Sequence, residues 1–381
     1  MVHSPHARVP RSASCPCDRA RSGRPWRFLF HRGRYATFIL LLGFPLAAGA
    51  QTPSTPAASQ PGGTTPADES VLDEIQREAA ALRPLARTPL GTHFLDAAAE
   101  LPHVEPMVIY YKKSQRKACS AAEYARLPEA ERAAYKEMTL DERYYYTTRY
   151  GTPMAYLRAL DLLGDAGMGE LKGHRVLDFG HGMVGQLRMM ATLGAEAVGV
   201  EVDSILPLLY GRPGDQGEIV ARDGTRGRVR LVNGRFSADP AVVRDVGEGY
   251  DLFLSKNTLK RGYIHPERPC DSRMLIDLGV SDDAFLAAVN RALKPGGIVL
   301  IYNLCPKAAP PDKPYIPWAD GRSPFATQQW ERAGFQIMQF DRDDTAAARA
   351  MGRALGWDKQ GMDVEGDLFA WYTLAQKPML R

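Results

Sequence analysis

The chain has 381 residues, of which 45% are hydrophobic and 24% charged, the composition of an ordinary globular protein able to bury a substantial core. Its formal charge of +4 is concentrated at the front, where residues 1–50 hold eight arginines against Asp18 alone. The remainder carries 40 basic and 43 acidic residues, and this mildly acidic body gives no indication of a nucleic-acid partner.

The basic front leads into an apolar run, Ala36 to Ala48, and then into Ala48-Gly49-Ala50-Gln51, the small-residue pattern of a signal-peptidase site. Residues 1–50 are therefore expected to be a signal peptide cleaved after Ala50, which makes the protein periplasmic or secreted. The alternative is a cytoplasmic protein whose start site lies downstream. The run contains Gly43 and Pro45 and falls short of the roughly 18 to 20 apolar residues of a spanning helix, so no stable membrane anchor is expected. Residues 51–70, rich in Pro, Thr, Ser and Gly, read as a disordered linker.

Residues 71–170 read as a helical N-terminal region that caps the domain behind it. Val71 to Ala86 has helical periodicity with Ser70 in the cap position and Glu74 near the capping-box position. Ser120 to Leu163 reads as several short helices broken at Pro128 and near Gly151-Thr152-Pro153. Its aromatic run Tyr144, Tyr145, Tyr146 and Tyr150 fits either a lid over a ligand or a helix packed on a sheet.

From residue 171 to 381 short apolar runs alternate with amphipathic helices, the pattern of an α/β domain with a mostly parallel sheet covered on both faces. Seven strands are expected: Arg175–Phe179, Ala197–Glu201, Arg228–Val232, Asp251–Ser255, Ile298–Asn303, Phe335–Phe340 and Leu368–Leu374. Asp223-Gly224 predicts an added β-hairpin between the second and third. The stretch DDTAAARAMGRALGWD predicts a helix between the last two. Cys119, Cys270 and Cys305 are too widely spaced to suggest a zinc site or a disulfide framework, though one bridge could close in an oxidising compartment. No metal-ligand spacing is found among the histidines.

The chemistry concentrates in HRVLDFGHGMVGQL. A buried strand runs into Asp178, then Gly180, Gly182 and Gly185, then a helix, so that a ligand can approach the backbone at the strand's carboxyl end. Twenty-three residues beyond Asp178, the next strand ends in Glu201, whose carboxylate suits the two hydroxyls of a ribose. These glycines also satisfy G-x-G-x-x-G, the dinucleotide fingerprint. Asp178 argues against that reading, because an acid two residues before the first glycine would face a pyrophosphate, whereas it favours a ligand carrying a sulfonium and an ammonium. Further on, Ala292 to Asn303 gives a helix end, a Pro-Gly-Gly turn and a strand.

VLDFGHG, GVEVD and LKPGG resemble the first motif, the second motif and the turn before the fifth strand of class I S-adenosylmethionine (SAM) dependent methyltransferases, over roughly residues 150–377. The resemblance implies a seven-stranded sheet of that type, SAM as cofactor, and methyl transfer to a small or medium acceptor. It implies Asp178 at the methionine amino end, Gly180 and Gly182 at the close approach, and Glu201 on the ribose. The chain departs from the pattern at Val184, where relatives often have the glycine that stands here as Gly185. Arg235 and Phe236 occupy the place where many relatives have an acid for the adenine amine. Phe236 could cover the purine face or simply pack in the core.

The fourth strand of this fold ends at the transferred methyl, which makes Ser255 a cofactor-side candidate and Lys256, Asn257 and His265 candidates for catalysis. Lys256, Lys260 and Arg261 could hold an acidic acceptor or form a solvated loop face. His265 could act as a general base or be a surface histidine, and His181 more naturally lines the turn through its backbone. A non-catalytic exported protein that retains this fold is the alternative to an enzyme.

Overall fold

The computed structural model describes residues 70–115, 117–148 and 151–379. The expected signal peptide, the linker up to residue 69 and Tyr150 lie outside them. Ser70 caps the helix Val71–Leu82 by accepting from the Asp73 N–H at 3.1 Å while the Asp73 carboxylate accepts from the Ser70 N–H, so Asp73 rather than Glu74 completes the box. Val71, Leu72, Ile75, Ala79 and Leu82 form its buried stripe.

The N-terminal region is not purely helical. Three short strands, β1 (Met107–Lys112), β2 (Lys117–Ser120) and β3 (Lys136–Leu140), form an antiparallel sheet in the order β2-β1-β3. The β3 segment KEMTL sits directly after a short helix in a charged stretch, with too few residues to display a period of two, which is why it reads as helix in the sequence. The helix Leu157–Asp165 then leads into the main sheet.

That sheet contains β4 (Arg175–Phe179), β5 (Glu196–Glu201), β6 (Gly217–Val220), β7 (Arg226–Asn233), β8 (Tyr250–Lys256), β9 (Leu293–Cys305), β10 (Gln336–Asp343) and β11 (Phe369–Gln376). Its order is β10-β11-β9-β8-β4-β5-β7-β6. Strands β7, β5, β4, β8 and β9 run parallel, and β6, β11 and β10 pair antiparallel with their neighbours. The sheet therefore has eight strands where seven were expected. The extra one is β6, the outer arm of the hairpin that turns at Ala221–Thr225 around Asp223-Gly224. The helix inserted between β10 and β11 is also present, at Thr345–Ala354.

Alternate residues of the central strands face opposite covered sides. Val176, Leu252, Leu254, Leu300 and Tyr302 join the core shared with the N-terminal helices, and Leu177, Phe253, Val299 and Ile301 join a second core behind the sheet. The chain leaves β4 toward β5 on one side and leaves β8 toward β9 on the other. The carboxyl ends of β4 and β8 thus flank the switch point, where open α/β sheets form their ligand crevice. Cys119, Cys270 and Cys305 are free thiols, so no bridge closes between them.

Candidate active-site cleft

A cleft of about 430 Å³ opens at this switch point, within the size range of small-molecule sites. Its walls come from the turn after β4 (Gly180, His181, Gly182, Met183), the end of β5 (Glu201 to Ser204), the end of β8 (Lys256 to Thr258) and the loop around Tyr263 and Met274. Tyr156, from the N-terminal region, completes the floor.

Gly180 has φ of +74°, and a Cβ there would lie 2.1 Å from Thr258 Oγ1, so both conformation and space require glycine. Gly182 has φ of +61°. Gly185 does a different job from the one expected. It opens the helix Gly185–Thr192 outside the cleft, where an added Cβ would lie 3.1 Å from Pro153 and 3.5 Å from Tyr146, so it permits close packing instead of ligand approach.

Asp178 is fully buried behind the turn and does not itself line the cleft. Its Oδ2 accepts from the Tyr156 hydroxyl at 3.1 Å and from Gln186 Nε2 at 3.0 Å, while Oδ1 is buried with no hydrogen-bond partner. Burial pushes its carboxyl up, and the donors Gln186 and Tyr156 together with the charge of Lys256 oppose the rise. Gln186 Nε2 also reaches the His181 carbonyl at 2.9 Å, which ties the acid to the glycine turn. His181 is buried, shares a 2.9 Å hydrogen bond between Nδ1 and the Met183 carbonyl, and has its pKa lowered by burial. Gly199 makes room for that ring, since a Cβ there would lie 2.7 Å from His181 Cδ2.

Glu201 sits at the rim, with Oε1 accepting from the Val202 N–H at 2.7 Å. Opposite it, Lys256 is buried with its ammonium 4.9 Å from the centre of the Tyr156 ring, and burial lowers its pKa to about 8. Asn257, at φ of +63°, accepts from the Leu304 N–H through Oδ1 at 2.7 Å. Asn tolerates this left-handed conformation better than most residues.

Four more expected residues are elsewhere. Phe236 is buried in a cluster with Phe179, Phe253 and Phe285 and does not line the cleft, because its ring fills the second core. Ser255 is fully buried, its Oγ accepting from the Leu259 N–H at 3.3 Å, and it braces the turn instead of meeting a ligand. His265 is exposed and paired with Asp282 at 2.9 Å, away from the cleft. Arg261 points to Glu267 and Asp320. Tyr145, Tyr146 and Tyr210 pack edge to face beneath the turn, and Thr148 donates to the Gly182 carbonyl at 3.2 Å.

Tyr156 and Gln186 were not foreseen. Gln186 follows the last glycine of the motif, where an i+8 reach back to Asp178 was open to inspection, but Tyr156 lies in a different segment with no signal linking it to the turn.

No protein-family model matches the chain, and no curated protein matches it in sequence. Among solved structures it is similar to the [4+2]-cyclase SpnF, at 19% identity and TM-score 0.36 over 59% of this chain and 83% of that one. It is similar to phosphoethanolamine N-methyltransferase 2 of Haemonchus contortus bound to phosphomonomethylethanolamine and S-adenosylhomocysteine, at 16% identity and TM-score 0.34 over 64% and 63%. It is also similar to a SAM-dependent methyltransferase from Mesorhizobium loti, at 16% identity and TM-score 0.34 over 58% and 97%. The order of its own sheet, the glycine turn at the switch point and the acid that closes β5 make this a mostly parallel α/β fold with a cleft at the carboxyl ends of its central strands.

Proposed function

We propose that the protein is a SAM-dependent methyltransferase acting on a small or medium acceptor. The observation that carries the reading is the buried, unpartnered Oδ1 of Asp178 behind a glycine turn at the switch point. A buried carboxylate oxygen without a donor is costly unless a cation or donor comes close, and SAM carries both a sulfonium and an ammonium. The residues present fit that group. Gly180 and Gly182 would admit it to the backbone, Glu201 would accept from ribose hydroxyls, and Asp178, buried behind the turn, would attract the cationic end by its charge without touching it.

When bound, SAM supplies an activated methyl whose leaving thioether needs no proton. The chain's task is then to position the acceptor and exclude water, which the depth of Lys256 and Tyr156 favours. We further propose that residues 1–50 direct export, which is tested by identifying the mature amino terminus in cells, residue 51 being the expected result.

Titration calorimetry with SAM on the wild-type protein and on Glu201→Ala and Asp178→Asn tests the cofactor assignment. A saturable site weakened at least about tenfold in each variant, roughly 1.4 kcal/mol, is expected. Unchanged affinity in both variants overturns the assignment.

A further inference from the structure

The two rims of the cleft differ in charge. Acids, Glu201 and Asp203, lie at the β5 end, and donors lie at the β8 end. Of the basic residues near that end, Lys260 gives its ammonium to the carbonyls of Leu304 and Trp318, Arg261 pairs with Glu267 and Asp320, and Arg273 pairs with Asp271. Lys256 is different. It is 6% exposed, and among the described residues its ammonium meets the Tyr156 ring and makes no hydrogen bond. The acid that attracts it is Asp178, which acts through space and makes no hydrogen bond to it among the described residues. Asn257 spends its carbonyl oxygen on Leu304, so its amide N–H groups are likewise uncommitted among the described residues.

The Lys256 stem is buried while its ammonium faces the cleft, where reduced solvent screening makes an anionic partner more favourable than in open water. In a cleft that also takes a sulfonium, that positive charge opposes binding until it is neutralised. We propose that Lys256 and Asn257 receive an oxyanion of the acceptor, a carboxylate or phenolate, and that this oxygen is the atom methylated. The inference rests on the SAM reading above. The oxygen's lone pair forms the new C–O bond as the C–S bond breaks, the electron pair of that bond goes to sulfur, and no proton moves. The product is neutral at that oxygen, so Lys256 loses its counter-charge and product release is favoured. This chemistry needs no general base, which agrees with the pairing of His265 to Asp282 outside the cleft lining.

The test is a calorimetric titration of the full chain, first with S-adenosylhomocysteine and then, on the saturated protein, with benzoate and its neutral isostere benzamide. Benzoate is expected to bind at least tenfold more tightly than benzamide. Lys256→Gln and Lys256→Met are expected to abolish that preference, with thermal melts confirming that both variants fold and each variant saturated with S-adenosylhomocysteine at its own measured affinity before the probes are added. Equal affinity for the two probes, no binding of benzoate, or a preference that survives in both variants overturns the proposal. Failure of S-adenosylhomocysteine to bind overturns the cofactor reading instead, so the two failures are distinct.

Discussion

The hydroxyl of Tyr156 donates to Oδ2 of Asp178 at 3.1 Å, and this bond joins the N-terminal region to the carboxyl end of the first strand of the main sheet. Burial drives the Tyr156 phenol well above its ordinary pKa and the Asp178 carboxyl upward as well, so the proton stays on the phenol. Removing the hydroxyl in Tyr156→Phe leaves the ring beneath Lys256 but withdraws one of two donors from a buried carboxylate. Urea unfolding should show a loss of about 1–2 kcal/mol, in the range for a buried group losing a partner. An unchanged midpoint and slope would mean that the bond contributes nothing.

Gly180 tests the turn. Alanine there must adopt φ near +74° and place its methyl 2.1 Å from Thr258 Oγ1, which itself lies 3.3 Å from the Gly180 carbonyl. Gly180→Ala should cost about 1–3 kcal/mol in stability and weaken SAM binding at least tenfold. The double variant Gly180→Ala, Thr258→Gly removes the collision and leaves the backbone strain, so it should recover part of the loss. Recovery to the wild-type level would show that strain at Gly180 is negligible.

Much of this architecture was legible because strand, turn and helix are local in sequence. Arg175–Phe179 and the Asp223-Gly224 hairpin can be read within a ten-residue window, where period and turn chemistry act directly. Glu201 was legible for the same reason, as the last residue of an apolar run. Side-chain direction was not. Phe236 and Ser255 follow or end strands at the correct rim, yet one ring enters the second core and one hydroxyl turns back to Leu259, outcomes set by contacts far along the chain. Tyr156 shows the converse, a cleft residue supplied by the region that reads only as a cap.

A third prediction concerns pH. Glu78, largely buried on the helix Val71–Leu82, accepts from the Thr152 hydroxyl, and burial pushes its pKa up to about 7. Glu74 adds to the rise while Thr152, Arg77 and Arg143 oppose it. Because the folded state holds this proton more tightly than the unfolded chain, stability from Glu78 is greatest below about pH 4.5 and declines as pH rises toward 7. Glu78→Gln keeps an acceptor for Thr152 and cannot ionise. It should melt higher than wild type at pH 8 and close to wild type at pH 5. Differential scanning fluorimetry across that interval would count against the assignment if the two curves stayed parallel.

The last prediction concerns how the N-terminal helices are fastened to the sheet. Arg158, 3% exposed, donates through Nε and Nη2 to the two carboxylate oxygens of Asp344 at 3.0 and 2.8 Å, and Nη1 lies 3.5 Å from Asp161. Tyr302 on β9 donates to the same Asp344 at 3.1 Å, and Asp161 accepts from the N–H groups of Arg87 and Thr88. One guanidinium thus compensates two acids from distant parts of the chain. Arg158→Met removes the charge while retaining much of the stem, leaving Asp344 and Asp161 without their shared cation, so unfolding free energy should fall by about 3–5 kcal/mol. Arg158→Lys supplies the charge without the bidentate fork and should lie between the two. Replacing both ends, as Arg158→Met with Asp344→Leu, should recover part of the loss, because it removes one stranded carboxylate while Asp161 stays without its cation and Tyr302 loses its acceptor. If the double variant is no more stable than Arg158→Met alone, the cost lies in packing around the arginine stem and not in the stranded carboxylates.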